Sequence, residues 1–453
     1  MIDTLRPGLA RYSRALLVAL LIWSLLLPLS TGPARADDLA LIQDAETEAL
    51  LWSYATPIFK AAGIDPKAVH IYLVNGVEVN AFVAGGQRLF LNTGLITYAN
   101  SPNQIAGVIA HETGHMAGGH LIRGGEMMGS MRLPMILAAV LGIGAMAAGA
   151  GGAGMAIITG GSQVAQRSLL AYSRMQESQA DQAGATFLQK AGMSGRGMLD
   201  LFASFRDQEA ISSDRQDPFV RSHPISEDRL SALRNRVEAS PYFSKTDSPE
   251  AIHALKMVQA KLHGFMDQPE ITLRRYPDSD TTDYACYGRA VAYHQLGDTP
   301  AALKQLEPLF KRMPENPYLW ELKGQILFES GQGAEAVPFY EQAVRLAPDS
   351  AQILLGLGQA ILSVDNGKQA AKALPYLDKS VKLDSENPFT YFQLANAYGQ
   401  LNNEGMAEFQ TANYYYALGD LGQARMHALR ASKLLKSGSP PWIQALDILQ
   451  DAN

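Results

Sequence analysis

The chain is very poor in cysteine, because Cys286 is the only one among 453 residues. A single thiol excludes an internal disulfide, so packing, a metal ion or a partner must stabilise the fold. Runs of basic residues are absent as well, and the net charge of −6 argues against a nucleic-acid-binding protein. Since 453 residues exceed what one hydrophobic core usually organises, we expect two domains.

An export signal is predicted over residues 1–36. Three arginines within the first 14 residues precede an apolar stretch over 15–27, and Ala34-Arg35-Ala36 places small residues where a signal peptide is cleaved. The apolar stretch is too short to span a bilayer comfortably. We therefore expect an exported protein with a cleaved signal peptide; the alternative is an uncleaved N-terminal anchor.

A helix followed by short strands is predicted next. Apolar residues recur at mostly helical spacing from Asp38 to about Ala62. Three runs rich in strand-forming residues follow it, namely His70–Asn75, Val79–Ala84 and Arg88–Asn92. The turn dipeptides Asn75-Gly76 and Gly85-Gly86 separate these runs, so we expect two β-hairpins.

The segment from Leu133 to Gln166 has no charged side chain and is crowded with glycine and alanine. It predicts an apolar helical hairpin over about residues 127–165. Three arrangements stay open for it: a peripheral or partly inserted contact with a membrane, a true spanning pair, and an internal helix pair. Helices are expected to resume over 167–191, 195–209 and 227–238, with a polar loop over 211–224.

The sequence His111-Glu112-Thr113-Gly114-His115 lies in a predicted helix that starts with Ser101-Pro102 as cap and first-turn proline. Positions i and i+4 of a helix face the same way, so the two imidazoles can hold one zinc ion. Glu112 can then lie against the water on the metal and take its proton as the water attacks a peptide carbonyl.

A catalytic zinc ion needs a third protein ligand, and two candidates compete for that place. His120 stands one residue before the position at which a metzincin has its third histidine, so a helix-end or supporting role is favoured for it. The other candidate is Glu177, with Asp181 four residues later on the same helical face. Asp181 would accept a hydrogen bond from the second ring nitrogen of a ligating histidine. An exposed charged face is the alternative for this pair.

A linker is predicted over 240–248, and an internal repeat of 34 residues after it defines a second domain over 250–453. Small residues, turn glycines and helix-ending prolines recur at that interval, as in Ala290, Gly324 and Gly358. This register is typical of tetratricopeptide repeats. We expect about four helix pairs and a capping helix, with Cys286 as a small buried residue of the first repeats.

The order of these motifs resembles that of the gluzincin peptidases, which include the HtpX heat-shock protease and the CAAX prenyl endopeptidases. The motif H-E-T-G-H is followed by an apolar hairpin and by E-S-Q-A-D, and strands containing Asn80-Ala81-Phe82 precede all three. The resemblance implies a mainly α fold with a small β-sheet, in which a zincin-type metallopeptidase domain over 37–245 precedes an α-solenoid of repeats. It also implies one zinc ion (Zn²⁺) per chain on His111, His115 and Glu177, with Glu112 as general base.

The same resemblance points to Ser222-His223-Pro224 and to Arg229. His223 would occupy the open position on the zinc ion until its loop moves; a surface histidine is the alternative. Arg229 would either stabilise an oxyanion or hold the loop.

A zincin cleft usually binds its substrate as an extra strand on a sheet edge. Residues Asn80–Val83, with Asn80, Ala81 and Phe82 foremost, or Arg88–Asn92 are the candidate edge. The resemblance implies a periplasmic peptidase that degrades misfolded or stalled outer-membrane β-barrel proteins and assists their assembly, with the barrel assembly machinery bound by the repeats. Two alternatives stay open: a chaperone or scaffold that acts through the repeats, and a membrane-embedded quality-control peptidase.

Overall fold

A computed structural model describes residues 40–120, 123, 137–141, 151–206, 218–364 and 368–451. These residues form two compact units. The first contains the described residues up to Ile42 and those of Ser53–Asp247, and the second contains those of Gln43–Trp52 and Ser248–Asn453. The described part of the chain is mostly helical with one small sheet, which confirms the predicted fold class.

The sheet of the first unit has four strands in the order β1-β2-β4-β3. They are β1 (Leu41–Ile42), β2 (His70–Val74), β3 (Ala81–Ala84) and β4 (Arg88–Asn92). Strands β3 and β4 are antiparallel and form the hairpin predicted at Gly85-Gly86, where both glycines have positive φ angles of 55° and 92°. Strand β1 was not predicted.

The second predicted hairpin, at Asn75-Gly76, is wrong. Strand β2 pairs in parallel with β4 and not with β3. Gly76 instead fastens the chain to the residues after β4, because its carbonyl accepts hydrogen bonds from Gly94 N at 2.7 Å and from Thr93 Oγ1 at 3.0 Å. The dipeptide therefore starts a longer connection from β2 to β3, which passes β4, and not a tight turn.

Helices make up the rest of the first unit. They are α1 (Ala45–Ala62, whose residues up to Trp52 group with the second unit), α2 (Thr93–Tyr98), α3 (Pro102–Gly118), α4 (Gly151–Lys190), α5 (Arg196–Ser204), α6 (Pro218–Ser222) and α7 (Glu227–Glu238). Helix α3 starts as predicted, since the Ser101 side chain caps it and Pro102 opens its first turn. It ends at Gly119, whose φ of 60° is left-handed.

Two predictions in this unit concern segments with gaps in the described residues. About half of the apolar hairpin at 127–165 lies outside them, and helix α4 begins at Gly151, well before the predicted start at 167. The described end of the predicted loop over 211–224 is partly helical, because it contains α6. Within the described ranges, no helix combines the length and the apolar character needed to cross a membrane.

The second unit is a series of helix pairs. Helices α8 (Pro249–Met266) and α9 (Pro269–Arg275) precede five pairs: α10 (Asp283–Gln295) with α11 (Thr299–Arg312), α12 (Pro317–Glu329) with α13 (Gly333–Leu346), α14 (Ala351–Ser363) with α15 (Ala370–Leu383), α16 (Pro388–Gln400) with α17 (Glu404–Ala417), and α18 (Leu421–Leu434) with α19 (Pro440–Asp451). The sequence predicted about four helix pairs and a capping helix, which are nine helices. The described residues hold ten helices after α9. Cys286 is buried, as expected.

Small residues let the paired helices approach each other. A Cβ atom on Gly324 would lie 2.7 Å from the Tyr340 ring, and one on Gly358 would lie 2.4 Å from Leu377 Cδ2. These two glycines are 34 residues apart, so the repeat in the sequence has a steric cause.

The second unit also includes an acidic segment from the start of α1. Lys261 is only 3% exposed and forms ion pairs with Asp44 and, at 3.7 Å, with Glu46. Tyr287 Oη donates a hydrogen bond of 2.7 Å to Glu46 Oε2. Gln352 Nε2 of α14 also donates a hydrogen bond of 2.6 Å to Glu48 Oε2, so residues 43–52 pack against early and later helices of that unit.

Candidate metal centre

The centre is built where helices α3 and α4 lie unusually close together. A Cβ atom on Gly114 would lie 2.6 Å from the Ala180 carbonyl oxygen, and one on Gly184 would lie 2.9 Å from the Ala110 carbonyl oxygen. Only glycine fits at these positions without a shift of the backbone. The close approach brings the histidines of α3 opposite Glu177 of α4.

Four side chains bring a metal-binding atom to one place: His111, His115, Glu177 and His223, whose donor atoms all lie within 4.8 Å of one another. His111 Nε2 lies 3.2 Å from His115 Nε2, 3.2 Å from His223 Nδ1 and 3.4 Å from Glu177 Oε2. His115 Nε2 lies 3.4 Å from Glu177 Oε1, and His223 Nδ1 lies 3.1 Å from Glu177 Oε2.

These spacings test whether one metal ion fits. Ligands held tetrahedrally at about 2.1 Å from a zinc ion lie about 3.4 Å from one another. The separations of the five donor pairs described above, 3.1 to 3.4 Å, agree with that value. Two imidazole nitrogens that face each other at 3.2 Å also need either a shared proton or a cation between them. The donor set therefore fits a single tetrahedral ion.

Asp181 and Arg229 contact the residues of the cluster outside the set of donor atoms. His111 Nδ1 lies 3.0 Å from Asp181 Oδ1, on the side of the ring away from the other donors. Arg229 is 5% exposed and donates two hydrogen bonds to the Asp181 carboxylate, of 2.8 Å from Nε and 2.9 Å from Nη2. Its Nη1 lies 3.2 Å from Glu177 Oε2 and also donates to the Pro224 carbonyl. Arg229 thus contacts both acidic residues and the loop that carries His223.

His223 and Glu112 lie together on the remaining side of the cluster. His223 Nε2 is 3.3 Å from Glu112 Oε1. His223 is 6% exposed and Glu112 is 1% exposed. The structure therefore places His223 in the interior and not on the surface, which was the alternative to a role at the centre.

His120 does not join the four donor atoms but contacts one of the residues that provide them. Its Nδ1 lies 3.0 Å from His115 Nδ1, and it is 6% exposed. Gly118 makes room for the ring, since a Cβ atom there would lie 2.3 Å from His120 Nε2. Gln176 Nε2 donates to the His120 carbonyl at 3.1 Å. The sequence favoured a helix-end or supporting role for His120 over that of a ligand, but it did not predict that His115 is the residue it contacts.

Burial is the largest influence on the acid–base properties of the centre. It raises the pKa of Glu112 and lowers the pKa of His115 to about 4. Burial also acts to raise the pKa of Glu177 and of Asp181, but hydrogen bonds from the histidines outweigh it, together with Arg229 in the case of Asp181, and both pKa values are lowered. The cluster thus holds two ionised carboxylates, as a site for a cation requires.

Of the two strands predicted as the substrate-binding edge, only one lies at the edge of the sheet. Strand β3 lies at the end of the sheet order and is an edge strand. Arg88–Asn92, the other candidate, is wrong because β4 pairs with β2 on one side and β3 on the other. Asn80 immediately precedes β3, and its carbonyl accepts a hydrogen bond of 3.0 Å from Asn92 N.

Family comparisons agree with the site. Residues 45–237 match the model of Peptidase family M48, and residues 287–351 and 331–388 match the model of the tetratricopeptide repeat. These matches confirm the family resemblance and the domain order that the sequence suggested, and they support a metallopeptidase. The family implies a catalytic metal, and the four-residue cluster is the place in the described residues that fits one.

Curated relatives match different lengths of this chain. The "Beta-barrel assembly-enhancing protease" of Escherichia coli O157:H7 is 27% identical over 373 residues, which cover 82% of this chain and 75% of the relative. A protein of the same name from Yersinia pestis is 27% identical over 332 residues, covering 72% and 67%. "Metalloprotease YcaL" of Escherichia coli (strain K12) is 31% identical over 172 residues, covering 38% and 63%.

Proposed function

We propose that this chain is an exported zinc-dependent endopeptidase that degrades misfolded or stalled outer-membrane β-barrel proteins. The observation that carries the proposal is the convergence of His111, His115 and Glu177 at tetrahedral spacing, with the Glu112 carboxylate beside them. The name of the relatives that match most of this chain supports the substrate class.

Zinc is the ion proposed for the centre, with one ion per chain. Two imidazoles and one carboxylate are a ligand set of catalytic zinc sites, which keep a fourth position for water or substrate. His111 and His115 would bind through Nε2, since both Nε2 atoms face Glu177. Asp181 then keeps the proton of His111 on Nδ1, and Arg229 keeps Asp181 ionised and in place.

Glu112 is the proposed general base. A bound zinc ion polarises a peptide carbonyl and acidifies a water molecule, which makes that water a nucleophile at neutral pH. The Glu112 carboxylate would accept a proton from water as the water oxygen bonds to the peptide carbon, and it would then donate that proton to the amine nitrogen as the C–N bond breaks. Burial raises the pKa of Glu112, which makes the carboxylate a better proton acceptor.

His223 is proposed to restrain this activity. Its Nδ1 completes the tetrahedral donor set, and its Nε2 faces Glu112, so it fills the space that water and substrate need. Arg229 contacts the next residue, Pro224, and so holds the loop in this position. Movement of residues 222–224 would open the centre.

The repeats are proposed to supply selectivity. A tetratricopeptide array binds a partner on an extended surface, while the peptidase cleft binds the substrate through hydrogen bonds to its main chain. The partners proposed are misassembled outer-membrane proteins and the barrel assembly machinery, with a peripheral membrane contact by the apolar segment and no role for nucleic acid. The export signal predicted over 1–36 supports a periplasmic location.

The test compares the wild-type chain with Glu112→Gln on a misassembled barrel precursor. We expect the substitution to abolish cleavage while the zinc content stays near that of the wild type, because Glu112 is not a ligand. A matched control is Glu335→Gln, which alters an exposed glutamate of the second unit. Unchanged cleavage by Glu112→Gln would remove Glu112 from its role, and a wild type that leaves the precursor intact would refute the function.

A further inference from the structure

Strand β3 has main-chain groups that point away from the sheet. Asn92 N donates to the Asn80 carbonyl, and the register continues with Ala81 opposite Leu91 and Phe82 opposite Phe90. In an antiparallel ladder, hydrogen-bonded and non-hydrogen-bonded pairs alternate. Phe82 therefore exchanges its hydrogen bonds with β4, whereas the N–H and C=O groups of Ala81 and Val83 point to the outer edge. No other strand in the described ranges pairs with that edge.

A row of aromatic rings leads across the sheet to the same edge. The Phe82 ring stacks on the Phe90 ring, with centroids 4.9 Å apart and planes at 7°. Phe90 stacks in turn on Tyr72, again at 4.9 Å and with planes at 17°. All three rings are half-buried and lie on one face, while Ala81 and Val83 are buried on the other face. The row crosses three adjacent strands and ends at Phe82.

An extended peptide that joined β3 in antiparallel orientation would bond to Ala81 and Val83. The peptide residue opposite Phe82 would then form a non-hydrogen-bonded pair, in which the Cα atoms are about 4.5 Å apart and the side chains are closest. Its side chain would lie on the same face as Phe82 and continue the aromatic row. Aromatic pairs across neighbouring strands are favourable.

We propose that Phe82 is a specificity-determining residue, which selects extended substrate segments with an aromatic side chain at the position that pairs with it. This inference rests on the proposed peptidase function and names a substrate class for it. The class is strand segments that alternate in polarity and carry aromatic residues on the apolar side. Strands of outer-membrane barrels have this pattern, because their lipid-facing side is apolar and is flanked by aromatic girdles.

The experiment uses the full chain and a set of quenched fluorescent peptides. One polar peptide that the wild type cleaves is the reference, and tyrosine or serine is placed at each of its positions in turn. We expect one position at which tyrosine raises kcat/KM over serine by roughly 2- to 12-fold, the rate equivalent of one aromatic pair. Phe82→Ala should bring that ratio to near one, and Phe82→Tyr should retain it.

Controls separate this inference from a general loss of activity. Phe82→Thr is a second variant, with a good strand-forming residue, and it should also bring the tyrosine-to-serine ratio of kcat/KM to near one. Phe389→Ala removes an exposed phenylalanine of the second unit and should keep the wild-type ratio. A ratio that persists in Phe82→Ala and Phe82→Thr would overturn the inference, as would a wild type without a preferred position. Failure of the proposed function looks different, because no peptide would then be cleaved in a manner that depends on Glu112.

Discussion

His120 Nδ1 lies 3.0 Å from His115 Nδ1, so each of the two motif histidines has its own partner behind the metal centre. The His115 ring faces the cluster through its Nε2 atom and faces His120 through its Nδ1 atom. The corresponding partner of His111 is Asp181, at 3.0 Å. One ring is thus held by a carboxylate and the other by a second imidazole.

This contact predicts that His120→Ala weakens zinc binding. Removing a group that orients a ligand typically costs about 10- to 100-fold in metal affinity. Competition with a chromogenic chelator measures the affinity without any need for catalysis. His120→Gln should recover part of it, since an amide oxygen can accept the His115 Nδ1 proton. His427→Ala, in the second unit, is the control, and an unaltered affinity in His120→Ala would show that the contact does not position His115.

Asp181 should matter to stability as well as to the centre. Asp181→Asn removes one of the two ionised partners of the buried Arg229 guanidinium and leaves Glu177, and breaking a buried pair typically costs up to about 3 to 5 kcal/mol. Urea unfolding of the zinc-free chain measures the loss. The control is Asp200→Asn, which removes an exposed 3.6 Å pair with Arg196 and should cost less than about 1 kcal/mol. Losses of equal size in the two variants would contradict the proposed role of the buried pair.

His223→Ala should raise the basal rate of peptide cleavage. The imidazole that fills the fourth donor position and faces Glu112 would be gone, while the three proposed zinc ligands remain. The measurement is cleavage of an unstructured protein such as casein at saturating zinc, with Ser222→Ala as the neighbouring control. A lower rate in His223→Ala would mean that this histidine assists catalysis instead of restraining it.

The acidic segment in the second unit predicts a dependence of stability on pH. Burial, and then the charge of Asp44, raises the pKa of Glu48 to about 8. Burial also raises the pKa of Glu321 to about 7, although Lys261 opposes the shift. Because the ordinary value is 4.5, the folded chain binds more protons than the unfolded chain between these values. Stability should therefore fall as the pH rises from about 4.5 to about 8.

Unfolding of the second unit in urea at a series of pH values measures this dependence. Glu321→Gln should flatten the decline, because the side chain then no longer has a proton to lose. Glu335→Gln changes an exposed glutamate and should keep the wild-type slope. A stability that rises with pH across this range would show that the buried carboxyls are ionised in the folded chain.

The sequence predicted the chemistry of the centre better than its packing. The spacing of His111, Glu112 and His115 places them on one helix, and Glu177 and Asp181 are likewise four apart on another. That the two helices meet at one metal ion was implied by the resemblance to the gluzincin peptidases and not by local geometry. The contact of His120 depends on a left-handed turn at Gly119. The position of Arg229 depends on how α7 meets α4, for which a pattern within one helix provides no signal.

The order of the strands was harder to predict for a related reason. Runs of strand-forming residues located β2, β3 and β4, but they do not show which strands pair. The turn residues at Asn75-Gly76 suggested a hairpin, whereas hydrogen bonds from Thr93 and Gly94 hold Gly76 elsewhere. The grouping of Gln43–Trp52 with the repeats was also unpredicted, because it depends on the buried Lys261 more than 200 residues away in the sequence.

The central claim is that two imidazoles and the Glu177 carboxylate hold one catalytic zinc ion. Zinc analysis of the purified wild type and of Glu177→Ala tests it most directly, together with peptide cleavage by the same samples. We predict about one zinc ion per wild-type chain, and loss of both metal and cleavage in Glu177→Ala. Wild-type zinc content and cleavage in Glu177→Ala would contradict the claim.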